Sequence, residues 1–247
     1  MADDAVGPGG SLPPEARDNP LFVRWQEIPD EVLTERQSEM RRLAAAARII
    51  LERLAATAAP TETVTAAADE LARVASMFGS DRHGTVYEGF AEAANAGGQA
   101  IASFDHSPFI GQANPLAPPI RLQELNGRVE AWVTFGSAYE GPPGSVHGGY
   151  VAGAFDEVLG AAQTLSGAPG MTGTLTIRYR NPTPLHTELH FIADYVRSEG
   201  RKIFTEGTLW AGDMLCAEAE GIFVSIDFTR FAELMAEREA SEKRRLG

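Results

Sequence analysis

The sequence predicts an α+β domain: an antiparallel sheet packed on one apolar helix, with a helical hairpin ahead of it. Three observations carry this. Residues 120–134 and 172–227 alternate apolar and polar side chains between runs of turn formers. Residues 147–165 form one helical stretch whose apolar side chains cover most of its circumference. Residues 26–80 carry apolar side chains at spacings of three, four and seven. Successive hairpins build an antiparallel sheet, and a lone apolar helix buries itself against such a sheet.

The elements follow in chain order. Residues 1–25 are rich in Gly, Pro and acid and read as disordered. In the segment 26–80, Leu33, Met40, Leu43, Ala47, Ile50 and Leu54 mark a first helix, for which Asp30 is a candidate N-cap. Pro60 stops it, Thr61 caps the next, and Val64, Ala67, Leu71, Val74 and Phe78 form a second stripe. Residues 81–119 are loop-rich. Their stretch "SPFIGQANPLAPP" is too apolar for a free linker and is expected to lie on the following domain, over the mouth of a pocket. The domain itself spans 120–228. Asn126-Gly127 between "IRLQEL" and "RVEAWVTF" reads as a hairpin with a primed turn. The order is then two strands, the apolar helix, and a meander of about four strands with a turn at Ser198-Glu199-Gly200. Residues 229–247 read as a charged helix.

Composition narrows the function. The 247 residues carry 34 acids against 21 bases, a net charge of −13, which argues against a nucleic-acid partner. No apolar run is long enough to span a bilayer. The first 20 residues lack the basic and apolar regions of a secretory signal, and the single cysteine, Cys216, suits a reducing compartment; the expected location is cytoplasmic.

The chemistry concentrates in "SVHGGYVAGAFDEVLG", residues 145–160. Val151, Ala154, Phe155, Val158, Leu159 and Ala162 make the helix apolar nearly all round. Asp156 then either sits where an unpaired charge is expensive, or occupies one wet edge with Glu157. Gly148, Gly149, Gly153 and Gly160 would let another backbone come close. At the helix start, unobstructed N–H groups after His147 suit an oxygen that gains negative charge in acyl transfer. His147 either contacts a substrate or caps the turn. His147 and Asp156 lie nine residues apart, about 13 Å along a straight helix. One carbonyl cannot reach both the Gly148 amide and the Asp156 carboxylate, so an enzyme of this kind requires two copies of the helix in an isologous dimer.

The sequence "HGGYVAGAFDEVLG" followed by "MTGTLTIRYRNPTPL" resembles the hotdog-fold acyl-CoA thioesterases, in the branch holding the phenylacetate-pathway thioesterases and thioesterase superfamily members 4 and 5. That family has an HGG, an Asp nine residues after the His, and a Thr sixteen after the Asp; here these are His147, Asp156 and Thr172. The likeness covers roughly residues 120–227. It implies a hotdog fold, hydrolysis of acyl-CoA to free acid and coenzyme A, and a homodimer or dimer of dimers. No cofactor and no metal are implied. The Gly148 amide would polarise the thioester carbonyl with His147 beside it. Asp156 of the other copy would act as general base or nucleophile, and Thr172 would position it. Substrate contacts would come from Gly149, from Asn114 in "GQANP", and from Arg178 and Arg180, which alternate on one strand and could meet coenzyme A phosphates.

The bland readings stay beside these: a turn role for Asn114 and a solvated sheet face for the two arginines. Arg197, Arg201 and Lys202 read as a charged turn. His186 and His190 share one strand face without the further ligands of a metal site. Two alternatives to the thioesterase remain: a non-catalytic acyl-CoA-binding module, and another hotdog enzyme such as an enoyl-thioester hydratase.

Overall fold

The computed structural model describes residues 33–78, 105–168 and 170–225. The expected disordered terminus 1–25, the start of the hairpin, residues 81–104 of the connector and the helix at 229–247 lie outside them. One six-stranded antiparallel sheet dominates: β1 (Arg121–Leu125), β2 (Arg128–Thr134), β3 (Gly170–Tyr179), β4 (Glu188–Glu199), β5 (Lys202–Ala211) and β6 (Met214–Ser225). The strand order is β1-β2-β4-β5-β6-β3. Two helices precede it, α1 (Glu35–Ala55) and α2 (Thr61–Ser76), and α3 (Gly148–Gln163) lies between β2 and β3 in sequence. This is the hotdog arrangement.

The hairpin turns follow from residues that tolerate positive φ. Asn126 and Gly127 stand at φ 53° and 79°, the pair a type I′ turn needs. Gly200 and Gly212 open the β4–β5 and β5–β6 turns in the same region. Only β4–β5–β6 is a meander. The expectation of four consecutive neighbours fails at β3, which pairs with β6 at the far edge. The connection 180–187, stiffened by Pro182 and Pro184, carries the chain back across to β4 beside β2.

The sheet wraps α3. Val151, Ala154, Phe155, Val158, Leu159, Ala161 and Ala162 are buried against Val129, Ala131 and Val133 of β2, Leu189, Phe191 and Ala193 of β4, and Leu209 of β5. Phe155 meets Phe191 edge-on, with ring centroids 5.0 Å apart. Gly207 and Gly221 make the wrap tight. A Cβ at Gly207 would stand 3.0 Å from the Ile192 carbonyl, and one at Gly221 2.6 Å from Thr205 Oγ1. Both would press on Leu159 of the helix.

Before the sheet, the structure corrects several details. Helix α1 is capped by Thr34, not Asp30: its hydroxyl accepts from Gln37 N and the Gln37 side chain accepts from Thr34 N, a capping box. Pro60, not Thr61, occupies the N-cap of α2, so Thr61 is the first helical residue. The two helices exist, but they contribute unequally. Helix α1 is docked on the domain near the 3-10 turn Ser137–Tyr139, whereas no residue of α2 is buried.

Polar groups do the docking. Arg41 binds both oxygens of the buried Asp105 carboxylate. Arg48 donates to the carbonyls of Gln112 and Asn114, and the Glu52 carboxylate accepts from Ala138 N. A methyl group on Gly136 would overlap that carboxylate, so Gly136 makes room for it. Residues 105–119, held this way by α1, lie on the core: Ile110, Ala113 and Ala117 are buried, and the Phe109 ring rests on Gly153 of α3.

A methyl group on Gly153 would overlap the Phe109 ring. Gly153→Ala should therefore lower stability by about 1–2 kcal/mol, overpacking outweighing the gain in helix propensity of about 1 kcal/mol. In a Phe109→Ala background the same substitution should become neutral or stabilising. Urea unfolding of the four variants of this double-mutant cycle measures the coupling.

Candidate active site

The site grows from the start and the middle of α3. At its start, His147 is the N-cap, with extended backbone, and its Nδ1 accepts from Gly149 N at 3.0 Å. An accepting Nδ1 leaves the ring proton on Nε2, which faces outward as a donor from an exposed side chain. The imidazole thus takes up the Gly149 amide. The Gly148 N–H has no acceptor among the described residues. Tyr179, the last residue of β3, donates its hydroxyl to the Gly148 carbonyl at 2.8 Å and fixes the first turn to the sheet.

Nine residues on, the Thr172 hydroxyl donates to Asp156 Oδ1 at 2.7 Å. Thr172 belongs to β3, which is pleated and pairs with β6 on one side only. One carboxylate oxygen is therefore held by a hydroxyl from an edge strand, and Oδ2 is left for another task. Asp156 is exposed in the single chain. The desolvation that the helix pattern suggested falls instead on Glu157, which is half-buried. Successive helical residues point about 100° apart, which turns Glu157 toward the 105–119 loop and Asp156 toward the β3 edge. The Ser107 hydroxyl donates to Glu157 Oε1 at 2.9 Å. Desolvation pushes the Glu157 carboxyl upward; the Ser107 hydrogen bond opposes this and the nearby Asp156 charge adds to it.

The glycines of α3 admit aromatic side chains rather than a second backbone. A Cβ on Gly148 would meet the Tyr179 hydroxyl at 3.3 Å, Gly153 faces Phe109, and Gly160 faces Phe223. Phe109, Phe135, Tyr139 and Tyr150 form a cluster at the helix start. The sequence pattern alone did not reveal this cluster, nor Glu157 or Tyr179, because their partners lie tens of residues away.

The remaining candidates disperse. Arg178 is paired with Glu220 and Arg180 with Glu218, across the β3–β6 ladder. Each arginine thus already has a carboxylate beside it, as on an ordinary solvated sheet face. Asn114 serves its own turn: its amide donates to His106 O, its side-chain oxygen accepts from Leu116 N, and its main-chain carbonyl is held by Arg48. His186 does not share a strand face with His190. It lies two residues before β4 at φ 54°, bonded to Ser137 Oγ, while His190 stacks on Trp132 and bonds Glu130. Cys216 is fully buried, and burial raises its thiol pKa. A cavity of about 300 Å³ lined by Arg48, Glu52, Pro115, Pro118, Tyr139 and His186 lies beneath α1, and neither His147 nor Asp156 lines it.

Comparison with known proteins points in one direction. Residues 143–218 match the family profile "Thioesterase superfamily". The chain is 37% identical over 93 residues to the acyl-coenzyme A thioesterase THEM4 of Xenopus laevis, covering 37% of this chain and 42% of that protein. It is 30% identical over 94 residues to a protein of Candida albicans named "Uncharacterized protein, mitochondrial". It spans about two fifths of the length of the curated relatives it matches. Among solved structures, protein RHA08564, a thioesterase superfamily protein, superposes with a TM-score of 0.66 at 34% identity, covering 75% of this chain and 94% of that one.

The raised Glu157 carboxyl sets a pH dependence. Below about pH 4 Glu157 is protonated whether the chain is folded or not. As pH rises through its elevated folded value, the native state loses stability relative to the unfolded chain. Glu157→Gln keeps the acceptor for Ser107 and removes this loss. Thermal melts from pH 4 to 8 should show the variant gaining on the parent as pH rises, with the gap smallest at pH 4.

Proposed function

The chain belongs to the thioesterase superfamily, and we propose that it hydrolyses acyl-CoA thioesters to free acid and coenzyme A, at composite sites shared by two copies. The single observation that carries this reading is the Thr172–Asp156 hydrogen bond, joining two family positions that lie sixteen residues apart in sequence. The names of the curated relatives supply the substrate class.

In the proposed reaction the thioester carbonyl points its oxygen at the Gly148 N–H of one copy, at the positive end of α3. His147 Nε2–H lies alongside as a second donor. Asp156 of the other copy faces the carbonyl carbon. Thr172 holds Oδ1, so Oδ2 either takes a proton from water as the water oxygen bonds to carbon, or attacks the carbon itself. The oxyanion then collapses, the C–S bond breaks, and its electron pair leaves with coenzyme A thiolate, which is protonated from solvent. On the route of direct attack the acyl group stays on Asp156 as a mixed anhydride, which water then hydrolyses to the free acid and the carboxylate. A thiolate leaves readily, so the reaction needs no group beyond these residues.

The dimer reading draws support from β3. This ten-residue strand is an open edge of the sheet, with Met171 and Tyr179 both more than half exposed. Thr172 near one end touches Asp156, and Tyr179 at the other touches Gly148. Two such edges paired antiparallel, with Leu175 of one copy beside Thr176 of the other, would bring Thr172 of one copy opposite Tyr179 of the other. Asp156 and Gly148 of different copies would then share one site. The lone buried thiol suits a reducing interior, and the cytoplasm is the compartment we propose.

Free-thiol release from acetyl-, hexanoyl-, palmitoyl-, phenylacetyl- and benzoyl-CoA tests the proposal. Asp156→Asn should lower kcat by about 10³-fold and Thr172→Val by about 10- to 100-fold, with KM little changed in either. Sedimentation should find both variants as dimers. Acyl-CoA binding without thiol release from any member of the panel would instead assign a binding module.

A further inference from the structure

Helix α1 is amphipathic in an unusual sense: its polar side faces the protein. Arg41, Ala44, Arg48 and Glu52, at intervals of three and four, form the docked face, and Ala44 is the one buried residue of the helix. At 100° per residue, Leu43, Ile50 and Leu54 line up on nearly the opposite side. They are 40%, 40% and 58% exposed. Val64 and Leu71 of helix α2, with Phe78 just past its end, form a second open stripe, exposed by 41%, 41% and 45%. Both stripes stand open to this degree among the described residues.

We propose that α1 and α2 are the exchanged arm of a homodimer, the α2 stripe of each copy packing on the α1 stripe of the other. Area and charge argue for this occupant. Six large side chains exposed to this degree, with the alanines between them, amount to roughly 500 Å² or more of apolar surface. Each copy contributes both stripes, so the arm supplies about 500 Å² per partner, which adds to the paired β3 edges toward the roughly 800 Å² per partner of a stable interface. The helices are also electrically complementary. Outside the docked face, helix α1 has Arg36, Arg42 and Arg53 against Glu35 and Glu39, and α2 has three acids against one arginine. A membrane surface is the weaker fit, because interfacial helices carry Lys and Arg on the polar face and α2 is acidic. The exchange is isologous, each copy giving and receiving the same pair.

The inference rests on the dimer reading of the active site but adds a separate interface to it, and the experiment keeps the two apart. Full-length Ile50→Cys and Leu71→Cys chains carrying different tags, mixed and oxidised, should form a disulfide between chains. These positions are central in their stripes, so the pairing holds for either helix direction. Ile50→Glu and Leu71→Glu should each weaken dimerisation at least tenfold by sedimentation, while thiol release per dimer at saturating protein is unchanged. A wild-type dimer insensitive to both substitutions, or without the inter-chain disulfide, overturns the arm and leaves the composite site standing. A disulfide formed only within an Ile50→Cys/Leu71→Cys chain assigns an intrachain hairpin and overturns the exchange. Binding to phosphatidylcholine/phosphatidylglycerol vesicles without the inter-chain disulfide assigns the stripes to lipid and overturns it too. A wild-type monomer of 26.5 kDa at micromolar concentration overturns both readings.

Discussion

Burying α3 on nearly every side is the constraint from which the rest follows. A helix with no wet face must be enclosed, and one sheet can enclose it only by bending around it. The bend needs small residues where the helix presses hardest. Gly207 and Gly221 stand there under Leu159, with Ala193 and Ala219 beside them on the inner face. Larger side chains at these positions would push the sheet away and flatten it. The side that the sheet leaves uncovered is closed by the 105–119 loop, where Phe109 takes the place of a side chain at Gly153.

Enclosure also decides where chemistry can occur. Only the N-terminal turn of α3 and the carboxylate edge near β3 escape the core. At the first, the helix presents an amide and the positive end of its dipole. At the second, it presents Asp156 to a strand whose other edge is open. β3 ties both together, through Thr172 at one end and Tyr179 at the other. The spacing of the two contacts along one strand, seven residues or about 23 Å, is too long for a single small site. A two-fold axis through the middle of that strand turns the same separation into coincidence.

Much of this was legible in the sequence, and the failures share a cause. Asn126-Gly127 and the 3.6-residue period of 147–163 report local geometry, so the first hairpin and α3 could be read directly. The intervals joining His147, Asp156 and Thr172 survive because they fix one helix against one strand. What could not be read depends on partners distant in sequence. Both Asp156 and Glu157 interrupt an apolar helix, and only the position of Ser107 shows which one faces the loop. The return of β3 to β6 is a matter of topology that alternation does not encode. Asn114 and the arginines of β3 looked like ligands for a substrate because nothing local reveals Arg48, Glu218 or Glu220 beside them.

Helix α1 carries that lesson furthest. An apolar stripe ordinarily faces the core, yet the protein docks this helix by Arg41, Arg48 and Glu52. Such contacts are poor sources of stability, since desolvating charges offsets much of their attraction. They are good at fixing position: a fork of two hydrogen bonds on Asp105 and two carbonyls on Arg48 accept one register of the helix and no other. A helix placed by charge keeps its apolar side free. The same contacts set the 105–119 loop, and through Ser107 that loop reaches the residue next to Asp156. Position is therefore transmitted from α1 to the carboxylate edge of α3 by polar contacts, while the apolar surface of α1 stays available for a different purpose.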